Sequence, residues 1–421
     1  MGYLKHLNNK FRRAGPRLGL GLLTILAVPG WSAEPGISAD RITLGTVLDL
    51  EGRSRELGQN MLLGMQAALK GQSVGERKLE LVARNDSYTP DKTAAATQAL
   101  IEEGVFLFIG NVGTPTAQMA LPLLAENQIP ALGFFTGSNL LRGDKPLIIN
   151  YRANYQQETQ RVIENALEAG VKPTEICAYV QNDAYGMSGI EAVSAALEGQ
   201  QDVDDIQTAL KEILAMEGDN PMRNGVGPVG VYMRNTFRSR DGYDSLKSWE
   251  KTQNTQCRLV VTVGSYTSVG HFIAYAQSKD ENWTYSAVSF TGATSLLGDL
   301  NRFGIKDRVM ITQVVPPVDL PLTLVAEARR KLKDELNLVS LEGFIVGKLL
   351  LHGFKQMEQG EQELTRANFL AAFQGQRFDL DGLKMDFSDD NQGSDFVSIA
   401  RLKGDTWVPM TKEAWRGWYH E

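Results

Sequence analysis

Short apolar runs rich in β-branched residues alternate with helix-periodic segments along this chain, and the alternation starts twice. In the first series, residues 42–48, 79–83, 105–109 and 129–132 read as buried strands. Met61, Leu62, Met65, Ala68 and Leu69 keep helical spacing after the first of them. Thr89-Pro90-Asp91 offers a capping hydroxyl, a proline for the first turn and an acid for the dipole, so a helix is expected from there to Gly104. The second series begins near residue 155, with helices over about 157–169 and 188–197. Its strands are expected at 175–180, 229–232, 259–263, 284–289 and 310–315. Pro316-Pro317 makes a stiff exit, a long helix covers 341 to about 359, and the end is β-rich at 383–387, 396–401 and 406–408. Strands alternating with helices imply parallel sheets wound on both faces. The expected fold class is therefore α/β with two lobes, and 421 residues suit about two domains of roughly 200 each. Residues 199–228 read as an elongated surface connection, helical over 208–216 and then rich in Gly, Asn and Pro.

The first 33 residues differ from the rest. Lys5, Lys10, Arg12, Arg13 and Arg17 precede an apolar run over 18–28, then Pro29-Gly30 and the small residues Ser32 and Ala33. That is the tripartite pattern of a secretory signal, with a core too short to span a bilayer comfortably. Its removal takes away five positive charges and no negative one, so the net charge of −7 becomes −12. Such acidity excludes a basic nucleic-acid face, and no nucleic-acid partner is expected.

Catalytic and metal signatures are missing. There are four histidines, of which His6 and His420 sit at the ends and only His271 and His352 lie in the body. Two cysteines cannot make a four-thiolate site. Gly186-Met-Ser-Gly189 has the wrong spacing for a nucleophile elbow, and Gly343-Phe-Ile-Val-Gly-Lys348 is one residue short of a phosphate loop. Asp379, Asp381, Asp386, Asp389 and Asp390 lack the ordered spacing of a calcium loop. The chain is read as no enzyme, with no cofactor and no metal. Cys177 and Cys257 fall near the starts of second-series strands, and two readings stay open, a disulfide permitted by export or two small buried hydrophobes.

Ligands of open parallel sheets bind outside the carboxyl ends of the strands. After the third strand comes Gly110-Asn111-Val-Gly113-Thr114-Pro115-Thr116, where Thr114 is placed to cap the next helix beside free backbone N–H groups. A carboxylate cradle and a plain helix cap are equally compatible with it. After the fourth strand, Gly133-Phe134-Phe135-Thr136-Gly137-Ser138 brings hydroxyls, amides and an apolar wall from one of the two phenylalanines. The second series contributes Asp183 and Tyr185, then Tyr266, then Thr291 at its own strand ends. Arg53 and Arg55 follow the first strand and tilt the expected ligand toward an anion.

Taken together, these pieces resemble the type I periplasmic solute-binding proteins of the leucine/isoleucine/valine-binding type, which feed ABC transporters. The resemblance rests on Leu57-Gly-Gln-Asn-Met with Gly64, Asp86-Ser-Tyr-Thr-Pro90, Phe108-Ile-Gly-Asn-Val-Gly-Thr-Pro-Thr116, Gln128-Ile-Pro130 and Phe135-Thr-Gly-Ser138. It continues through Asn182-Asp-Ala-Tyr-Gly186, Ser340-Leu-Glu-Gly-Phe344, Phe378-Asp-Leu-Asp-Gly382 and Asp390-Asn-Gln-Gly-Ser-Asp395. It implies two Rossmann-like lobes that close on a small-molecule ligand and are joined by crossings expected near 150–153, 315–318 and 381–384. Residues 1–33 are then the signal, 34–150 with 318–382 the first lobe, and 151–317 with 383–421 the second. The resemblance further implies a periplasmic monomer whose partner is an ABC permease, or alternatively a sensor kinase or chemoreceptor, in the inner membrane. Implied ligand contacts are Glu51, Asn111, Gly113, Thr114, Phe135, Thr136, Gly137, Ser138, Asp183, Tyr185, Tyr266 and Thr291. One departure stands out. Amino-acid binders of this type carry an acid after the fourth second-lobe strand, and this chain has Ser289-Phe-Thr-Gly-Ala-Thr294 there. Asp183, Asp49 or Glu51 is left to pair with a ligand ammonium, or else the ligand carries none.

Overall fold

A computed structural model describes residues 34–218 and 220–419. The expected signal at 1–33, with His6, and His420 at the other end lie outside the described residues. The first sheet contains β1 (Arg41–Leu48), β2 (Ser73–Val74), β3 (Arg77–Asn85), β4 (Leu107–Ile109), β5 (Ala131–Leu132) and β6 (Ile148–Ile149), in the order β2-β3-β1-β4-β5-β6. All pairings are parallel except the short β2–β3 edge. Around this sheet run α1 (Arg55–Leu69), α2 (Pro90–Glu103) and α3 (Thr114–Glu126). The period of two is visible in β4, where Leu107 and Ile109 join one core and Phe108 joins the other. As the sequence predicts, α2 starts at Pro90 and stops at a left-handed Gly104, although the Thr89 hydroxyl donates to the Ser87 carbonyl instead of capping the helix.

The second series opens with α4 (Tyr155–Glu168), β7 (Ile176–Gln181), α5 (Ala184–Leu197), α6 (Asp204–Ala215) and β8 (Val229–Tyr232). It continues through α7 (Arg240–Gln253), β9 (Leu259–Val263), α8 (Tyr266–Gln277), β10 (Thr284–Ala287), α9 (Ala293–Arg302) and β11 (Val309–Gln313). Then come α10 (Thr323–Leu332), α11 (Leu338–Gln359), α12 (Arg366–Ala371), β12 (Arg377–Leu380), β13 (Leu383–Asp386), β14 (Ser398–Lys403), β15 (Thr406–Pro409) and α13 (Lys412–Tyr419). The second sheet has the order β15-β14-β11-β10-β9-β7-β8, with β14 and β15 antiparallel at one edge. Numbered within each sheet, the five main parallel strands of both run second, first, third, fourth, fifth. This doubly wound order puts a switch point between β1 and β4 and another between β7 and β9.

Helix α11 lies along α1 through glycines. A Cβ on Gly64 would sit 2.0 Å from the Ser340 carbonyl oxygen, and one on Gly343 would sit 2.3 Å from that of Met61. The Gly343 to Lys348 stretch is thus a helix-packing face. Near residue 150 the connecting segments run side by side. Asn150 N–H donates to the Asn391 carbonyl at 2.8 Å, Gly393 N–H donates to the Asn150 carbonyl at 2.9 Å, and the Tyr151 hydroxyl donates to the Val314 carbonyl at 2.9 Å. The expected crossing at 381–384 falls within a hairpin. Leu383–Asp386 pairs with Arg377–Leu380 as a two-stranded hairpin, so a boundary at 382 would cut a ladder, and the chain enters the second sheet only at β14.

The 199–228 connection is also tighter than its composition suggests. Helix α6 starts at Asp204, with Asp204 and Asp205 in its first turn. Arg223 donates to the carbonyls of Ile213 and Met216 and to the Asn182 side-chain oxygen, strapping the loop down. Cys177 and Cys257 form a disulfide, with Cα atoms 5.7 Å apart. It closes a loop of 80 residues within the second series. Replacing both by serine is expected to lower the unfolding free energy by about 2–4 kcal/mol. Denaturant melts of oxidised and serine-substituted protein check this, and coincident curves would contradict it.

Candidate functional site

The loops after β1 and β4 and those after β7 and β9 meet across the two lobes. After β1, the Asp49 carboxylate accepts from the N–H groups of Gly52 at 2.6 Å and Ser54 at 3.0 Å, so it holds its own loop together. Burial pushes its pKa up against these bonds. Glu51 sits on the exposed outside of the loop and accepts from Asn85 Nδ2 at 3.0 Å. Arg53 is exposed and stands 4.3 Å over the Phe237 ring, and Arg55 is exposed at the start of α1. The expected pair of cleft cations is therefore a rim feature.

After β4, Gly113 takes the cap position with φ 105°, and Thr114 is the first residue of α3. The expected capping role of Thr114 is thus corrected, because Gly113 supplies the backbone turn that a threonine would strain. The freed Thr114 hydroxyl lies 2.7 Å from that of Thr136, which lies 3.0 Å from the Tyr155 hydroxyl. This chain of three hydroxyls crosses from the first lobe to α4. Gly137 allows the approach, since a Cβ there would fall 2.7 Å from the Tyr155 ring. Phe135 faces the same place, while Phe134 packs into the core behind the sheet. Asn111 is 3% exposed, and neither its side-chain oxygen nor its nitrogen has a partner among the described residues. A buried amide left so calls for a polar group to meet it.

The second-lobe loops are first turns of helices. Asp183 caps α5, accepting from Tyr185 N–H at 3.0 Å, and also takes Arg234 Nη1 at 2.7 Å and Gln181 Nε2 at 2.8 Å. Burial raises its pKa and the Arg234 charge opposes that rise. Tyr185 is fully buried, its ring 5.4 Å from Tyr155 and 4.7 Å from Phe290. Thr291 turns its hydroxyl to the Gly264 carbonyl at 2.9 Å, within its own lobe. Tyr266 opens α8 and donates across to the Arg53 carbonyl at 3.0 Å. Ser138 and Ser188 hydroxyls meet at 2.8 Å, and Gln181 Nε2 donates to the Tyr88 hydroxyl at 3.3 Å. The structure thus gathers Gly113, Thr114, Phe135, Thr136, Gly137, Ser138 and Tyr185 along one face of contact. Tyr266 lies at its seal, Asn111 beneath it, and Glu51 stands apart.

Several residues at this place escape a motif reading. Tyr88 and Ser87 both adopt left-handed backbone, with φ 54° and 52°. The turn is held by Asn85 and Asp86 accepting from the N–H groups of Ser87 and Tyr88, and it carries the Tyr88 ring to 6.2 Å from Phe290. Such strain persists only where surrounding bonds enforce it. Arg152 is fully buried at the first crossing. It pairs with Glu158 of α4 at 3.1 Å and with Glu342 of α11 at 3.4 Å, and contacts the Ser289 hydroxyl. Glu158 also accepts from Ser289 N–H at 2.7 Å and from the Thr312 hydroxyl. An acid therefore stands beside the end of β10 after all, supplied by α4. The available signal was a glutamate on the apolar stripe of Tyr155, Thr159, Val162 and Ile163.

Burial, with Glu158 adding and Arg152 opposing, pushes Glu342 up to about 7, and burial pushes Asp86 up to about 6. In each case the folded form keeps a proton that the unfolded form has lost above its ordinary carboxyl pKa. Stability then falls as pH rises between about 4 and 7. Glu342→Gln is expected to flatten that decline between pH 5 and 7 in denaturant melts, and an unchanged slope would remove Glu342 as its source.

Residues 41–213 match the periplasmic binding protein family. A possible leucine/isoleucine/valine-binding protein from Rhodopirellula baltica SH 1 is 32% identical, with 90% of this chain and 99% of that one covered and a TM-score of 0.77. A branched chain amino acid ABC transporter protein from Thermus thermophilus with bound valine shares the fold at 15% identity, 91% and 100% coverage and TM-score 0.70. So does a solute binding protein from R. palustris in complex with 4-hydroxybenzoate, at 16% identity, 88% and 96% coverage and TM-score 0.66. No curated protein matches the chain. With a relative above 30% identity along nearly its whole length, this chain belongs to the periplasmic binding proteins of the leucine/isoleucine/valine-binding type.

Proposed function

We propose that this protein is an exported, non-catalytic receptor that captures a small carboxylate-bearing or amide-like solute between two lobes and delivers it to an ABC permease. The observation that carries this reading is the Thr114–Thr136–Tyr155 hydroxyl chain, which joins the loops of one switch point to the facing lobe. Hydroxyls, the unpartnered Asn111 amide and the start of α3 suit a carboxylate or amide, and Phe135, Tyr185, Phe290 and Tyr88 suit an apolar body beside it. Asp49, Asp183 and Glu158 already hold backbone N–H groups or guanidiniums. A ligand ammonium would find no uncommitted counter-charge among them, and burying it so is costly. Proteins of the same fold hold valine and 4-hydroxybenzoate, each a small carboxylate, which supports the carboxylate part of this reading.

In this reading the first lobe is 34–150 with 318 to about 390, and the second is 151–317 with the remainder from about 394. The crossings are 150–153, 314–318 and 391–393. Capture works by population shift, since the solute touches both lobes only when they are closed. Thermal-shift screening over monocarboxylates, amides and amino acids tests it. At least one carboxylate or amide is expected to raise the melting temperature, and a wholly flat screen would sink the reading. Thr114→Ala is expected to weaken that solute about tenfold, near 1.4 kcal/mol. Equal affinity by calorimetry would take Thr114 out of the site.

A further inference from the structure

Glu342 stands where both lobes and two crossings meet. It lies on α11, in the first lobe of the reading above, and is 3% exposed. Its Oε1 accepts from Arg152 Nη1 at 3.4 Å, and Arg152 is held in turn by Glu158 of α4 at 3.1 Å. A space of about 20 Å³ adjoins the carboxyl, enough for about one water. Phe135, Leu338 and Val339 wall it from the first lobe, Ser289 and Ala293 from the second, and Val314 and Val315 from a crossing. Parting the lobes breaches that wall and admits solvent to Glu342, whereas closing them buries it. Arg152 and Arg142 favour the ionised carboxyl and Glu158 disfavours it, and burial outweighs them all. Arg142 is committed to Gln392 and the carbonyls of Ser138 and Arg152. Burial keeps the nearby Tyr151 and Tyr155 hydroxyls un-ionised. Of the helices packed on α11, α1 brings Arg55 and Glu56 at its exposed start, and α10 brings Glu327 and Lys331, which pair with each other, and the exposed Arg329 and Arg330. Arg366 of α12 pairs with Glu34, and Lys348 of α11 itself with Glu327 and Asp381.

We infer that Glu342 couples lobe closure to proton uptake, so that acidification favours the closed protein and a rise in pH opens it. The inference rests on the two-lobe capture reading. A carboxyl that holds its proton more tightly in the closed form stabilises that form below the ordinary carboxyl pKa. The gain is lost as pH rises toward the closed-form value, so the window lies between about 4 and 7. Capture of a solute, which needs closure, then takes up a proton in that window. The Ser138 and Ser188 hydroxyls meet across the lobes at 2.8 Å, so Ser138→Cys with Ser188→Cys reports closure through a disulfide equilibrated in glutathione buffer. The exported protein carrying this pair is compared with the same protein carrying Glu342→Gln as well, and thiol ionisation acts alike on both. Between about pH 6 and 8, the crosslinking constant is expected to fall at least about threefold further with Glu342 in place than in the Glu342→Gln protein. Glu342→Met, equally neutral, serves if the glutamine variant does not fold. The same pH dependence in both backgrounds overturns the proton link and leaves capture standing. A crosslink in neither overturns lobe closure itself, and this inference with it.

Discussion

A single buried guanidinium ties the two halves of this protein to the strand between them. Arg152 belongs to the first crossing, Glu158 to a second-lobe helix and Glu342 to a helix packed on the first sheet. Removing Arg152 or Glu158 from this group would leave an unpaired buried charge, at a cost of about 3–5 kcal/mol. The geometry is unequal on its two sides. Glu158 is saturated by Arg152, the Ser289 backbone and two hydroxyls, while Glu342 is held by one contact at 3.4 Å. The cation is thereby anchored in the second lobe and reaches toward the first.

The recognition surface follows from where this anchor sits. Arg152 stands 5.3 Å over Phe135 and 5.9 Å over Tyr155, at the base of the aromatic group that the two switch points bring together. Two sheets with the same strand order present equivalent loops, so each lobe offers helix starts, hydroxyls and rings to the other. The lobes differ in how they do it. The first uses glycines with positive φ to let side chains approach, and the second uses helix starts, one capped by Asp183 and one opening at Tyr266.

Most of the strands were legible in the sequence because burial on both faces makes them continuous apolar runs bounded by turn residues. The start of α2 was legible through Pro90, and the loop after β5 through its hydroxyls. What stayed hidden depends on partners far away in the chain. Glu158 and Glu342 look like ordinary helix residues until Arg152 is placed between them, 6 and 190 positions away. The left-handed turn at Ser87 and Tyr88 uses residues that rarely adopt it, so propensity points elsewhere. The pairing of β13 with β12 stayed hidden because a strand's sequence does not say which strand it pairs with. Asp183 was named for its position, yet its engagement with Arg234 is a tertiary fact.

The disulfide has a consequence for how the protein is made. With two cysteines in the whole chain, intramolecular oxidation has one possible product. Scrambled isomers do not exist, and no reshuffling step slows maturation. Both sulfurs lie at the amino-terminal side of second-sheet strands, the end opposite the strand-end loops, with Cys177 in β7 and Cys257 just before β9. The neighbouring strands β7 and β9 can therefore be pinned together in an unfinished second lobe, as soon as residues up to 263 are available and before β10 and β11 have been added.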